Sequence, residues 1–187
     1  MAGIQRPTSE RLRRCALDLF AARGYDDVTV EEIARAAGVS HMTFFRHFPS
    51  KADVVLDDPY DPAMAAAVAA QPPGLPALVR VVRGLRVVWD QIEVPAGTDL
   101  RLRLALAGGH PALRAEALRS NDRTADAIAD ALERTGTGRL AARTAAAAVL
   151  AALTVALFEW AQDGPPADGP GATIRGALDV LDPEVRS

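Results

Sequence analysis

Ser40, His41, Met42, Thr43 and Arg46 sit within seven consecutive residues of a 187-residue chain. Hydroxyl, imidazole and guanidinium groups on one short helix can exchange hydrogen bonds with the edges of nucleic-acid bases, which is recognition chemistry rather than catalysis. The elements that must present them are legible on either side. Thr29 and Glu32 fit the S/T-x-x-E capping box that starts a helix, and Val30, Ile33, Ala34 and Ala37 follow at helical spacing, so one face is buried. Gly38 stops that helix, because glycine adopts the left-handed conformation of a helix end. Val39 anchors the turn and Ser40 is the N-cap of a second short helix. Phe44 and Phe48, one turn apart, face inward and leave Ser40, His41, Met42, Thr43 and Arg46 outside. Two short helices joined by a glycine turn, the second with a polar N-terminus, form a helix-turn-helix suited to the major groove of DNA.

Composition narrows the alternatives. The chain is 49% hydrophobic and 24% charged, ordinary for a soluble globular protein, and its wealth of Ala and Leu favours helices. Net charge is −3, but Arg6, Arg11, Arg13 and Arg14 face a single acid, Glu10, in the first fourteen residues. A basic arm on an acidic body suits local contact with DNA. The one cysteine, Cys15, excludes an intrachain disulfide; its spacing with Leu12, Ala16, Leu19 and Phe20 reads as core. Thr144 to Phe158 lacks charge but is shorter than the roughly 20 residues of a spanning helix, and no apolar leader stands at the N-terminus. A cytoplasmic protein without membrane attachment is expected. His41 and His47 are six apart and His110 is remote, so no metal set is expected. No nucleophile motif, phosphate loop or Ser/His/Asp arrangement is present; neither an enzyme nor a cofactor is implied.

The rest of the chain predicts helices throughout. The first runs from Thr8 to Arg23, capped by Thr8 or Ser9 and stopped at Gly24. Ser50 and Asp53 repeat the capping pattern before a fourth helix, which DPYDP at 58–62 interrupts; an Ala-rich helix resumes over 62–70. Further helices are predicted over Ala77–Gln91, with Leu78, Val81, Val82, Leu85, Val88, Trp89 and Ile92 at helical period, then over Pro111–Arg134, Arg139–Asp163 and Ala172–Leu181. Leu100–Leu106 alternates like a strand, yet it holds helix formers, no β-branched residue and no partner strand, so helix is expected. The class is all-α, with nine or ten helices.

Ala16 to Val55 resembles the tetracycline-repressor (TetR) family of bacterial transcriptional regulators. The stretch carries the pattern of an A..LF helix, a G-Y link, T-V-x-E-I-A, A-G-V-S, F-x-x-F and P-S-K. The resemblance implies an N-terminal three-helix DNA-binding domain (1–50) and a C-terminal helical bundle for ligand binding and dimerisation (51–187). VVLDDPYDP, RLRLALAGGHPALRAEAL and the segment ending EWAQDG further resemble the mycofactocin-regulator type of C-terminal domain, implying an acyl-CoA-like ligand.

By the same resemblance Thr29 presents its hydroxyl and amide to a phosphate. Ser40, His41, Met42 and Thr43 lie at the groove with Arg46, while His47 and Lys51 hold the DNA backbone. Met42 stands where many members have Gly, and Phe45 where many have Tyr. Lys51 is the single lysine among 21 basic residues, at the start of a helix whose dipole can act on the same phosphate. Leu85, Trp89, Leu102, Leu106, Leu113 and Phe158 can line a cavity or form plain core, and Arg101 and Arg103 can neutralise an anionic ligand or be solvated. The helix over 139–163 is apolar on every face and needs a partner chain. The expected function is a homodimeric repressor released from operator DNA by a small apolar or amphipathic effector. A ligand-independent regulator, an activator and a helical protein-interaction adaptor remain as alternatives.

Overall fold

A computed structural model describes residues 7–57, 61–91, 98–162 and 169–182. Ten helices follow in chain order, α1 (Thr8–Arg23), α2 (Val30–Ala36), α3 (His41–His47), α4 (Asp53–Leu56), α5 (Asp61–Ala69), α6 (Ala77–Gln91), α7 (Thr98–Gly109), α8 (Pro111–Arg134), α9 (Arg139–Gln162) and α10 (Gly171–Leu181), with no strand among the described residues. The alternating LRLRLAL segment lies inside α7, so helix propensity prevailed where no partner strand existed. Ile92, Asp163, most of the DPYDP break and residues 94–97 and 164–168 lie outside the described residues.

The helices divide into two units, one running to Asp57 and including Thr98–Glu116, the other comprising α5, α6 and the chain from Ala117 onward. In the first, α1 buries Leu12, Ala16, Leu17 and Phe20 along one stripe, joined by Val28, Ile33, Ala34, Phe44, Phe48, Val54 and Val55. Cys15 is only half-buried. Neither Thr8 nor Ser9 caps α1; Pro7 is the N-cap, without a side-chain bond. Its fixed φ suits a helix start, and Thr8 is already inside the first turn. The helix stops at Gly24, whose φ of 87° is open to glycine at little cost.

In the second unit Met64, Val68, Val82, Leu85, Val88, Ile128, Leu132, Val149, Leu153, Ile174 and Leu178 form one core. Gly84 sets its tightest approach, because a Cβ there would meet Val68 Cα and N at 2.8 Å. Arg80 is fully buried, donating to Thr135 Oγ1 (2.7 Å) and Thr137 Oγ1 (3.0 Å). The Thr135 hydroxyl in turn donates to the Leu132 carbonyl at 2.9 Å. The guanidinium thus sits over the C-terminal end of α8, where partial negative charge collects. Asn121 on α8 donates to Thr154 on α9, and Arg86 pairs with Asp179 (2.5 Å) and Asp182 (3.2 Å), tying α6 to the end of α10. α9 is long and apolar enough to cross a membrane on length and composition alone. Here it buries residues such as Ala146, Val149 and Leu153, while Leu140 and Val155 stand exposed.

Candidate nucleic-acid interface

The turn between α2 and α3 is built as its sequence dictates. Thr29 Oγ1 accepts the Glu32 N–H at 3.2 Å and the Glu32 carboxylate accepts the Thr29 N–H at 2.9 Å, completing the capping box. Arg23 adds a charged pair on the same carboxylate at 2.9 Å. Hydrogen bonding to Arg23, then to the Thr29 backbone, holds the Glu32 carboxyl down at about 2. Both donors that the resemblance assigns to a phosphate, the Thr29 amide and hydroxyl, are therefore directed at Glu32. At the far end Gly38 (φ 65°) lets the chain reverse, and its N–H and that of Val39 close on the Arg35 and Ala34 carbonyls.

Ser40 caps α3, its hydroxyl accepting the Thr43 N–H at 3.1 Å. Phe44 and Phe48 are buried beneath the helix, which turns its other face outward. On that face His41, Met42, Phe45, Arg46 and His47 are exposed and Thr43 is half-buried. Much of the polar capacity there is already used. Ser40 Oγ and Thr43 Oγ1 share a bond of 2.9 Å. His41 Nε2 lies 3.2 Å from Glu31 Oε1, and its ring packs edge-on against Phe45 at 4.7 Å. Met42, 76% exposed, has no such tie.

Lys51 is turned inward. Its ammonium donates to the Tyr25 carbonyl (2.8 Å) and the Val28 carbonyl (2.9 Å) and stands 4.2 Å from the centre of the Tyr25 ring. His110, at the junction of α7 and α8, packs on the same ring at 4.9 Å and places Nε2 3.1 Å from the Asp26 carboxylate. Burial raises the Tyr25 phenol pKa, and Asp26 and Asp53 add to it. Just beyond, two guanidiniums meet the end of α4. Arg13 bonds the Val54 carbonyl and the Asp57 carboxylate (3.2 and 2.8 Å), and Arg103 donates to the Val55 and Asp57 carbonyls, each at 2.6 Å. Arg103, expected at a ligand, is thus engaged at the open carbonyls of a short helix.

The other expected ligand residues fall in both units. Arg101, Leu102 and Leu106 are half-buried and Leu113 buried in the first; Leu85 and Phe158 are buried and Trp89 half-buried in the second. Among the described residues no group of three His, Cys, Asp or Glu could hold a metal. The sequence alone did not point to Glu31 as a neighbour of His41, to Tyr25 as the seat of Lys51, or to Asp26 as the partner of His110. The last pair is 84 residues apart, beyond any local pattern.

Comparison with known proteins places this geometry in a class. The sequence pattern of bacterial regulatory proteins of the tetR family matches residues 12–57, and that of the MftR C-terminal domain matches residues 75–185. The chain belongs to the TetR family of DNA-binding transcriptional regulators, with a C-terminal domain of the MftR type. A similar protein is the transcriptional regulator TcmR of Streptomyces glaucescens, 39% identical over 124 residues, 63% of this chain. The alignment spans 55% of TcmR, about half of that relative's length. Solved structures share the fold. A TetR-family regulator of Streptomyces coelicolor is 23% identical with a TM-score of 0.54, covering 99% of this chain and 100% of that one. The fatty acid degradation regulator FadR of Bacillus halodurans is 18% identical with a TM-score of 0.54, covering 95% of each.

Proposed function

We propose that the protein is a cytoplasmic, homodimeric repressor that leaves operator DNA when a small apolar or amphipathic effector binds its C-terminal bundle. The observation that carries the DNA-reading part is the outward face of α3. His41, Met42, Thr43, Arg46 and His47 are presented by a helix anchored through buried Phe44 and Phe48, with Ser40 and Thr29 capping the two helices of the motif. Residues 1–50 form the DNA-binding domain in this reading and 51–187 the effector and dimerisation domain.

Dimerisation is supported by unpaired apolar surface. Leu140 (83% exposed) and Val155 (62%) on α9 and Val180 (61%) on α10 are large hydrophobic side chains left in water, the kind of surface a second copy covers. An amphipathic effector is supported by the indole N–H groups of Trp89 and Trp160, which are buried without acceptors. A buried donor of this kind favours a ligand oxygen. Release then requires that the effector bind the DNA-incompetent state more tightly than the competent one.

The test is titration of the purified protein against its own upstream intergenic DNA, with and without long-chain acyl-CoA, alongside molecular mass in solution for wild type and Val155→Asp. Salt-sensitive binding relieved by acyl-CoA, with a dimer that Val155→Asp dissociates, supports the whole reading. Binding indifferent to acyl-CoA removes that ligand class, and a monomer bound to DNA removes the dimer.

A further inference from the structure

We infer that Lys51 is a positioning residue for DNA binding, locking the link between α1 and α2 from behind, and that its charge is not given to a DNA phosphate. The inference rests on the DNA-binding role of α2 and α3. The link, Gly24 to Thr29, determines where α2 begins, and α2 in turn carries α3 across the Gly38 turn. None of its six residues belongs to a helix, so something outside the link must hold it. Lys51 does so with two hydrogen bonds, to the Tyr25 and Val28 carbonyls, and with its ammonium over the Tyr25 ring. Those carbonyls bracket the link. Phe20 at 5.1 Å and His110 at 4.9 Å pack on the same Tyr25 ring, and His110 also faces the Asp26 carboxylate.

The ammonium of Lys51 has three N–H donors, and two are satisfied by carbonyls within hydrogen-bond range. Turning it toward a phosphate would strand both carbonyls and uncover the ring. A cation held over an aromatic face and paired with carbonyl dipoles is already compensated. Arginine is a poor substitute, because its planar fork does not fit two carbonyls separated along a turning chain as a compact ammonium does. That accounts for one lysine in a chain whose other basic residues are all arginine.

Direct contact and positioning differ in salt dependence. A lysine that neutralises one phosphate contributes about 0.9 to the slope of log K against log salt, whereas a positioning lysine contributes none. The experiment compares wild type with Lys51→Met, which keeps the stem, on a duplex selected from a random pool and on an unselected duplex, at several salt concentrations. Amide hydrogen exchange is followed in the same proteins. Lys51→Met should weaken the selected duplex by roughly 10-fold, the scale of one charge-assisted hydrogen bond, with the slope unchanged. Exchange should quicken over residues 24–32 while α8 and α9 keep their protection, a local signature that general destabilisation would not give.

A slope shallower by about 0.9 with the link still protected overturns the inference, as does unaltered affinity. Should Lys51→Met not fold, Tyr25→Leu removes the seat and leaves the charge. Weaker binding with an unchanged slope then supports positioning, and unchanged affinity refutes it. Wild type that shows no salt-sensitive duplex binding would instead refute the DNA-binding role itself.

Discussion

Met42 is the sharpest point at which to test whether α3 reads DNA as proposed. It is 76% exposed on a helix whose Ser40 and Thr43 hydroxyls bond each other and whose His41 is tied to Glu31 and Phe45. A thioether chain free of such ties offers contact rather than a hydrogen bond, and the major groove offers one apolar target, the C5-methyl of thymine. Removing that methyl alone is possible by replacing thymidine with deoxyuridine. At about 0.8 kcal/mol per buried methyl-sized group, loss of one contact weakens binding about fourfold, and loss of the symmetric pair in a dimer site about sixteenfold. The assay is equilibrium binding to operator duplexes carrying deoxyuridine at each thymine in turn. Wild type should be sensitive at one or two positions per half-site, and Met42→Ala should lose that sensitivity while keeping its salt dependence, since phosphate contacts are untouched. Wild type indifferent to every replacement, or Met42→Ala as sensitive as wild type, would refute the reasoning.

Two further outcomes follow from packing and charge. Gly84→Ala gains about 1 kcal/mol of helix propensity but drives a methyl to 2.8 Å from the Val68 backbone, where no rotamer can yield. Since overpacking costs up to about 3 kcal/mol, the denaturant midpoint should fall, and a midpoint equal to or above wild type would show that α5 moves aside freely. Glu32 is depressed to about 2 by Arg23 and the Thr29 backbone, below its ordinary value of 4.5, so the stability it confers is complete above about 4.5 and lost as pH falls toward 2. Glu32→Gln should flatten acid unfolding of the N-terminal unit within that window, followed by circular dichroism, and an unchanged acid limb would remove the Glu32 pair from stability.

What was legible in the sequence was whatever repeats or caps within a few residues. The capping box at Thr29 and Glu32, the N-cap at Ser40, the inward Phe44 and Phe48 and the breaks at Gly24 and Gly38 all depend on neighbours up to four positions away, and each stands in the structure. The long helix expected from Pro111 to about Arg134 stands in the structure for the same reason, with proline at its first position. The TetR fold followed from a run of such local signals in register. The N-cap of α1 shows the limit even here, since Thr8, Ser9 and Pro7 are all acceptable starts and only the entering chain decides between them.

Where the charged side chains point was not legible, because charge is satisfied by whichever group folding brings near. Arg103 and Lys51 look equally ready for an anion by sequence, and both close on backbone carbonyls from distant segments. The common cause is backbone without an intrahelical donor, in the link over 24–29 for Lys51 and at the end of short α4 for Arg103. α2 and α3 have seven residues each and α4 has four, so a large share of their carbonyls lies in a last turn without an intrahelical donor. A domain built from such short helices needs cations to cover those ends, and it draws them from residues that composition alone would assign to DNA or to a ligand. Basic residues beside short helices should therefore be counted first against open carbonyls. By that count Lys51, Arg13 and Arg103 are engaged, whereas Arg46 and His47 stand exposed on the outward face of α3, where a phosphate would meet them.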